Sequence, residues 1–348
     1  MAATPGALPL LPTTVVGSHP RPAWWWLANE AIQQGHFGEQ DVAETLDHAV
    51  DIAILDQERL GIDVITDGEM RRRSGFLHSL FERIEGYRYE PQTARYWGPA
   101  HYDQDRVLSV AGRVSAPNGL GIAESFAYLR AHASRPTKAT CPGPLSLTYR
   151  CRLGPPYTDV WELAHDVAPI VNAELKACVA AGADLVQIDD PSLRNVAGEG
   201  RRVVELLQRV VDGVEAKVAL HICFGNQRGR PSAFNRSYRP FFPDLFDAPV
   251  DQFILEFANR QMAEIELWQQ YQPRQELVMG VVDQKCYGVE TPEVVAERIR
   301  TALQYVPAAK LWVSPDCGLN PTPYWIGIAK LRAMVEGAAI VRRELAGA

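Results

Sequence analysis

Short runs of apolar and β-branched residues recur along the chain, and each is followed by a longer stretch with apolar side chains every three or four positions. The runs cover residues 13–18, 64–69, 138–143, 185–190, 218–224, 252–257, 276–283 and 310–317. Several are nearly continuous in apolar residues, the pattern of parallel strands buried on both faces. Between them the period changes to that of a helix. Residues 41–60 carry Val42, Leu46, Ala49, Val50 and Ala53 on one face and stop at Gly61. Residues 159–181 stop at Gly182, residues 291–305 open with Thr291, Pro292 and Glu293, and residues 321–345 close the chain. Eight such alternations predict an α/β fold, a single (β/α)8 TIM barrel over residues 1–348. The competing open, doubly wound sheet lacks its Gly-x-Gly-x-x-Gly after the first strand.

Two stretches break the rhythm. Residues 84–117 alternate and are rich in Tyr and Arg, which predicts a β-hairpin inserted before the third barrel strand. Residues 226–249 read as a long loop after the fifth strand, with Arg228, Arg230, Arg236 and Arg239 available for an anionic group.

Composition narrows the partners. Of 348 residues, 47% are hydrophobic, enough for a large core, and the net charge of −7 comes with no long run of one sign. That balance argues against nucleic acid or an anionic membrane as the main partner. No apolar run is long enough to cross a bilayer. Residues 1–12 lack the basic and then apolar order of a signal peptide, so a cytoplasmic location is expected. Six cysteines are too sparse for a disulfide scaffold and are expected as thiols, ligands or buried small residues. Self-association into a homo-oligomer is left open.

In a barrel of this kind the chemistry sits at the carboxyl ends of the strands. His221 and Cys223 are two apart on the fifth strand and point to the same side. Glu256 ends the next strand and Cys317 the last. One nitrogen, two sulfurs and one oxygen suit tetrahedral zinc, which would stabilise a substrate thiol as the nucleophilic thiolate. The competing reading is packing: His-x-Cys is a weak pattern, and Cys317 before Gly318 fits a buried small residue.

Several segments together resemble one family. They are the run from Thr13 to Pro20, Asp67-Gly68-Glu69, the run from Gln187 to Arg194, His221-Ile222-Cys223, the Glu256 strand and Ser314-Pro315-Asp316-Cys317-Gly318-Leu319. In this order they resemble the catalytic domain of cobalamin-independent methionine synthase. The resemblance implies a barrel, zinc held by His221, Cys223, Glu256 and Cys317, and homocysteine held by Val16, Gly17, Ser18, Glu69 and Asp189. It also implies a second substrate that carries the methyl group, a methylated folate or a methylated corrinoid. Two carboxylates suit an ammonium group, and backbone N–H groups near Gly17 suit a carboxylate.

The departures from the family carry information too. The additional N-terminal half of the full-length enzyme is not in this chain, so the short, core type is expected. Its relatives include methyltransferases fed by a methylated corrinoid and the enzyme that joins coenzyme M to epoxides. The family's Ile-Asp-Glu-Pro is Ile188-Asp189-Asp190-Pro191 here, and its histidine after the seventh-strand aspartate is replaced in Asp283-Gln284-Lys285. Asp283 and Lys285 are therefore the candidates for proton handling. Trp25, in Trp24-Trp25-Trp26, is a candidate pocket wall or a packing residue. Arg72, within Arg71-Arg72-Arg73, is a candidate partner for an acidic substrate group. Asp190 either orients a ligand or caps a helix, and His19 is a candidate acid–base group. Cys141, Cys151, Cys178 and Cys286 are assigned no role. The expected activity is zinc-dependent methyl transfer to homocysteine. The alternatives are addition of a thiol such as coenzyme M to an epoxide, and a non-catalytic metal-binding barrel.

Overall fold

A computed structural model describes residues 8–73, 77–90, 108–149, 151–225, 236–320 and 322–347. Along the chain the strands are β1 (Glu85–Tyr89), β2 (Leu108–Ser115), β3 (Ala139–Pro142), β4 (Cys151–Arg152), β5 (Leu185–Asp189), β6 (Lys217–Ile222), β7 (Gln252–Leu255), β8 (Glu276–Val282) and β9 (Leu311–Pro315). Six of them form a parallel sheet in the order β3-β5-β6-β7-β8-β9. Two further segments join its edges through single parallel bridges. Thr13 pairs with Val313 of β9, Thr14 with Val64, and Ile65 with Thr137 just before β3. These bridges link the last strand to the first, the first to the second and the second to the third, so the eight-membered ring comes full circle.

The first two barrel strands are shorter than the 13–18 and 64–69 runs because their carboxyl ends leave the sheet. Thr66 is taken up by Gln57, whose amide donates to the Thr66 carbonyl at 2.8 Å and accepts from the Thr66 N–H at 3.1 Å. The chain then turns through Gly68 (φ 65°) and Glu69 (φ 55°). A glutamate in the left-handed region is strained, and such strain collects at functional turns.

A ring of this size is filled by side chains. Val16, Val64, Leu185, Ala219, Ile254, Val278 and Trp312, drawn from seven different barrel segments, form one buried cluster apart from the outer core. On the third strand the place level with Leu185 belongs to Lys138, 2% exposed.

The outer helices start and stop where the sequence signals them. Glu39–Leu60 ends at Gly61 with φ 82°. Val160–Ala180 starts at Asp159, whose carboxylate accepts from the Trp161 and Glu162 N–H groups. Pro292–Leu303 is capped by Thr291, and Tyr324–Gly347 closes the barrel. The first helix, Ala23–Gln33, takes in all three tryptophans.

The insertion is a hairpin of β1 and β2, antiparallel, with β4 added in parallel to β2. Its residues 91–107 lie outside the described part. So do residues 226–235 of the long loop, with Arg228 and Arg230. The remainder of that loop is packed: Tyr238, Phe241 and Phe242 are buried, and Phe242 stacks on Phe246 with ring centroids 4.1 Å apart.

Candidate active site

The carboxyl end of β6 carries His221 and, one step past the strand, Cys223. Glu256 follows β7 and Cys317 follows β9. The ligand atoms of His221, Cys223 and Cys317 lie within 4.8 Å of one another. The two sulfurs are 3.5 Å apart and unbridged. Their hydrogen bond splits their acidities: it is the main reason the Cys223 thiol titrates well below the usual range and Cys317 well above it.

The imidazole is oriented from behind. His221 Nδ1 donates to the Ile254 carbonyl at 3.2 Å. Nε2 is buried without a hydrogen-bond partner, 3.7 Å from Asp189, and against the cost of burial the negative charges of Asp189 and Cys223 raise the imidazole to about 9, so this nitrogen favours a proton or a cation beside it. Glu256 is equally one-sided. Its Oε2 accepts from Lys285 Nζ at 2.5 Å and from the Phe224 N–H at 3.2 Å, while Oε1 is buried without a partner. Buried polar atoms are rarely left unpaired. The structure brings together His221, Cys223 and Cys317; Glu256 stands outside that 4.8 Å group with its orphaned oxygen, and the nitrogen and two sulfurs are donor types that zinc prefers.

Buried polar side chains hold this cluster from behind. The Tyr238 hydroxyl donates to the Ile222 carbonyl at 3.0 Å and accepts from the Glu256 N–H at 2.9 Å, pinning the ends of β6 and β7 together. Asp316, fully buried, accepts from the N–H groups of Phe257, Ala258 and Asn259 at 2.9, 2.9 and 2.6 Å. Burial, reinforced by the charge of Glu256, pushes its carboxyl up to about 7. Gly280 makes room for it, since a Cβ there would stand 2.1 Å from Asp316 Oδ1. Asp283 accepts from the Asn259 side chain and from the Lys285 N–H, so it shapes the turn that presents Lys285.

A second group of side chains lies on the neighbouring strand ends. Glu69 is 3% exposed and pairs with Arg72 at 2.8 Å. Burial raises its carboxyl above the ordinary range against the pull of Arg72. Thr140 Oγ1 donates to Glu69 at 3.2 Å, and Arg72 also donates to the Thr140 carbonyl at 2.5 Å. Asp189 ends β5, 3.7 Å from His221 Nε2, and burial pushes it up to about 7. Gly17 lies directly against Glu69, because a Cβ there would stand 2.5 Å from Glu69 Oε1. Ser18 lies against Gly318, next to Cys317, at 2.2 Å from its would-be Cβ. The buried Val16 belongs to the barrel's inner cluster one step below. Lys138 donates to the Val15 carbonyl at 2.6 Å and feels the charges of Asp189 and Glu69. A cavity of about 450 Å³ opens beside Arg72, Thr140 and Lys138 toward the helix Ile122–His132, away from the sulfurs.

Other candidates are placed elsewhere. Trp25 is 1% exposed, donates to the Met70 carbonyl at 3.2 Å and has Arg21 over its ring at 3.8 Å. Its ring is packed beneath the Glu69 turn. Asp190 caps the helix Pro144–Thr148 through the Leu145 N–H and the Ser146 hydroxyl. His19 pairs with Asp56, which also accepts from Tyr324. Arg239 is tied to Glu264 and Glu266, and Arg236 to Asn259. Sequence reasoning missed Tyr238, Thr140 and Lys138. Of these only Lys138 left a signal, a lone cation opening a buried strand.

A parallel barrel whose strand ends gather an imidazole, two thiols and a set of carboxylates defines the class of (β/α)-barrel enzymes with a metal-ready centre. Residues 11–340 match the family described as the catalytic domain of cobalamin-independent synthase, and the chain belongs to that family. Methionine synthases of Sulfurisphaera tokodaii and Saccharolobus solfataricus are 33% and 35% identical to it, over 97% of this chain and 94% and 97% of theirs. A solved B12-independent methionine synthase from a Shewanella species, in complex with selenomethionine, superposes with a TM-score of 0.84 at 28% identity. It covers 97% of this chain and 100% of its own. The chain is thus a methyltransferase.

Proposed function

We propose that this chain methylates the sulfur of homocysteine to give methionine, with zinc held by His221, Cys223, Cys317 and Glu256. The observation that carries the reading is the cluster of His221, Cys223 and Cys317 within 4.8 Å, beside the orphaned His221 Nε2 and Glu256 Oε1. The relatives named methionine synthase support the substrate, as does the selenomethionine bound to the Shewanella enzyme, a product analogue. Zinc in this donor set stabilises the thiolate of a substrate sulfur near neutral pH.

The chain's own residues do the rest. Glu69 and Asp189 take the substrate ammonium, and the backbone from Val16 to Ser18 takes its carboxylate, with Arg72 keeping Glu69 in place. Seating the amino-acid end beside Gly318 aims the sulfur at the Cys223 and Cys317 side. Asp283 holds the turn of Lys285, the only member of the proposed proton-handling pair that touches the ligand set. The second substrate is a methyl donor, a methylated folate or a methylated corrinoid. A cytoplasmic setting fits this chemistry, and no helix among the described residues is long and apolar enough to cross a membrane. Arg236 and Arg239 are engaged by neighbours, while Arg228 and Arg230 lie outside the described residues.

The test is zinc analysis of the purified protein together with a methionine assay, using homocysteine and either methylated folate or methylcobalamin. One equivalent of zinc and methionine from one of the donors are expected. A zinc-loaded enzyme that makes no methionine from either donor would sink the substrate assignment.

A further inference from the structure

Lys285 stands where it can govern how Glu256 serves a metal. Its Nζ meets Glu256 Oε2 at 2.5 Å, with the two side chains 4% and 0% exposed. The Phe224 N–H shares the same oxygen at 3.2 Å, and the buried Oε1 has no partner. The carboxylate is thus divided: one oxygen is claimed by the protein and the other is open. Lys285 is itself held firmly. Its N–H donates to Asp283 at 2.8 Å, and Asp283 accepts from Asn259 at 2.9 Å, in the segment that Asp316 caps.

Charge gives this arrangement a consequence. Two thiolates and a carboxylate more than offset the two positive charges of zinc, and a substrate sulfur would add another negative charge to the same buried place. The Lys285 ammonium cancels the excess before the substrate arrives. We propose that Lys285 is a positioning residue that restricts Glu256 to a one-oxygen metal ligand through Oε1 and supplies the charge that lets the site accept the substrate sulfur as an anion. The inference rests on the zinc reading above and deepens it.

Removing the ammonium leaves Glu256 Oε2 and its charge to the metal alone. In the full chain, Lys285→Met is therefore expected to hold zinc about tenfold tighter in chelator competition and to bind homocysteine about tenfold more weakly. With cobalt(II) in place of zinc, the visible bands of Lys285→Met shift and weaken as a second carboxylate oxygen joins. Lys285→Arg keeps the charge and is expected to restore both affinities toward wild type. Unchanged zinc and homocysteine affinities in folded Lys285→Met would overturn the proposal. Wild-type protein offers a check that needs no variant: zinc X-ray absorption should show two sulfurs, one nitrogen and one oxygen. A shell with both Glu256 oxygens would overturn the proposal as well. If wild-type protein lacked thiolate-to-cobalt absorption, the zinc reading itself would fall and this inference with it. An intact band with an indifferent Lys285→Met would overturn the inference alone.

Discussion

Replacing Gly17 with alanine tests the amino-acid end of the site with one methyl group. Gly17 has no positive φ, so its backbone accepts alanine, and the effect comes from the side chain alone. The new Cβ would stand 2.5 Å from Glu69 Oε1 and 3.5 Å from Thr140 Cγ2. An ordinary C···O contact is roughly 3.3 Å, so the carboxylate must retreat by roughly 0.8 Å. It cannot do so freely. Glu69 is buried, sits at φ 55°, and is held by Arg72 at 2.8 Å and Thr140 at 3.2 Å. Overpacking of this kind costs about 1–3 kcal/mol. Displacing a positioning group by about 1 Å lowers rates by about 100-fold. Gly17→Ala should therefore lower kcat/KM for homocysteine by about 100-fold, with the larger share in KM, because Glu69 grips the ammonium before and during reaction. Zinc content should stay at the wild-type level, since no ligand moves. The assay is initial rate against homocysteine concentration, run beside a thiol of the same length without the amino group. That thiol should lose little, having no ammonium for Glu69 to hold. A folded Gly17→Ala enzyme with wild-type kcat/KM, or an equal loss for both thiols, would refute the role given to Glu69.

Two further outcomes follow from buried contacts. Tyr238→Phe removes the hydroxyl that bridges the Ile222 carbonyl and the Glu256 N–H, at a cost of about 1–3 kcal/mol. Thermal unfolding and chelator competition should register a lower Tm and faster zinc loss, and a wild-type value in both would contradict the bridge. Burial holds Lys138 down to about 7, against 10.5 for an ordinary lysine. The folded chain then binds fewer protons than the unfolded chain between those values, so this residue's contribution to stability rises with pH from about 7 to 10.5. Denaturant unfolding across that range should show a shallower rise for Lys138→Met than for wild type, and parallel curves would mean that Lys138 keeps an ordinary pKa.

How much of this was legible along the chain depended on distance. Helix ends were readable because caps are local: Gly61, Asp159 and Thr291 stand where their neighbours' N–H and carbonyl groups need them. The pairing of His221 with Cys223 was readable because residues two apart on a strand face the same way. For Trp25 the sequence left wall and packing both open, because three consecutive tryptophans cannot share one face of a helix. Which one turns inward was settled by the Met70 carbonyl and Arg21.

Period and punctuation along the chain were enough for eight strand-and-helix units and for the chemical types at their ends, since both rest on neighbours a few residues apart. Folding added what depends on contacts across the whole molecule. Bridging Thr13 to Val313 brings Ser18 against Gly318 and sets the first and last strand ends side by side. The same ring brings Cys317 within 3.5 Å of Cys223, 94 positions away. The division of Glu256 between Lys285 and an open oxygen, and the Tyr238 bridge behind it, depend on side-chain directions in a packed interior. Those directions are decided only when the strands are locked in register around a common axis.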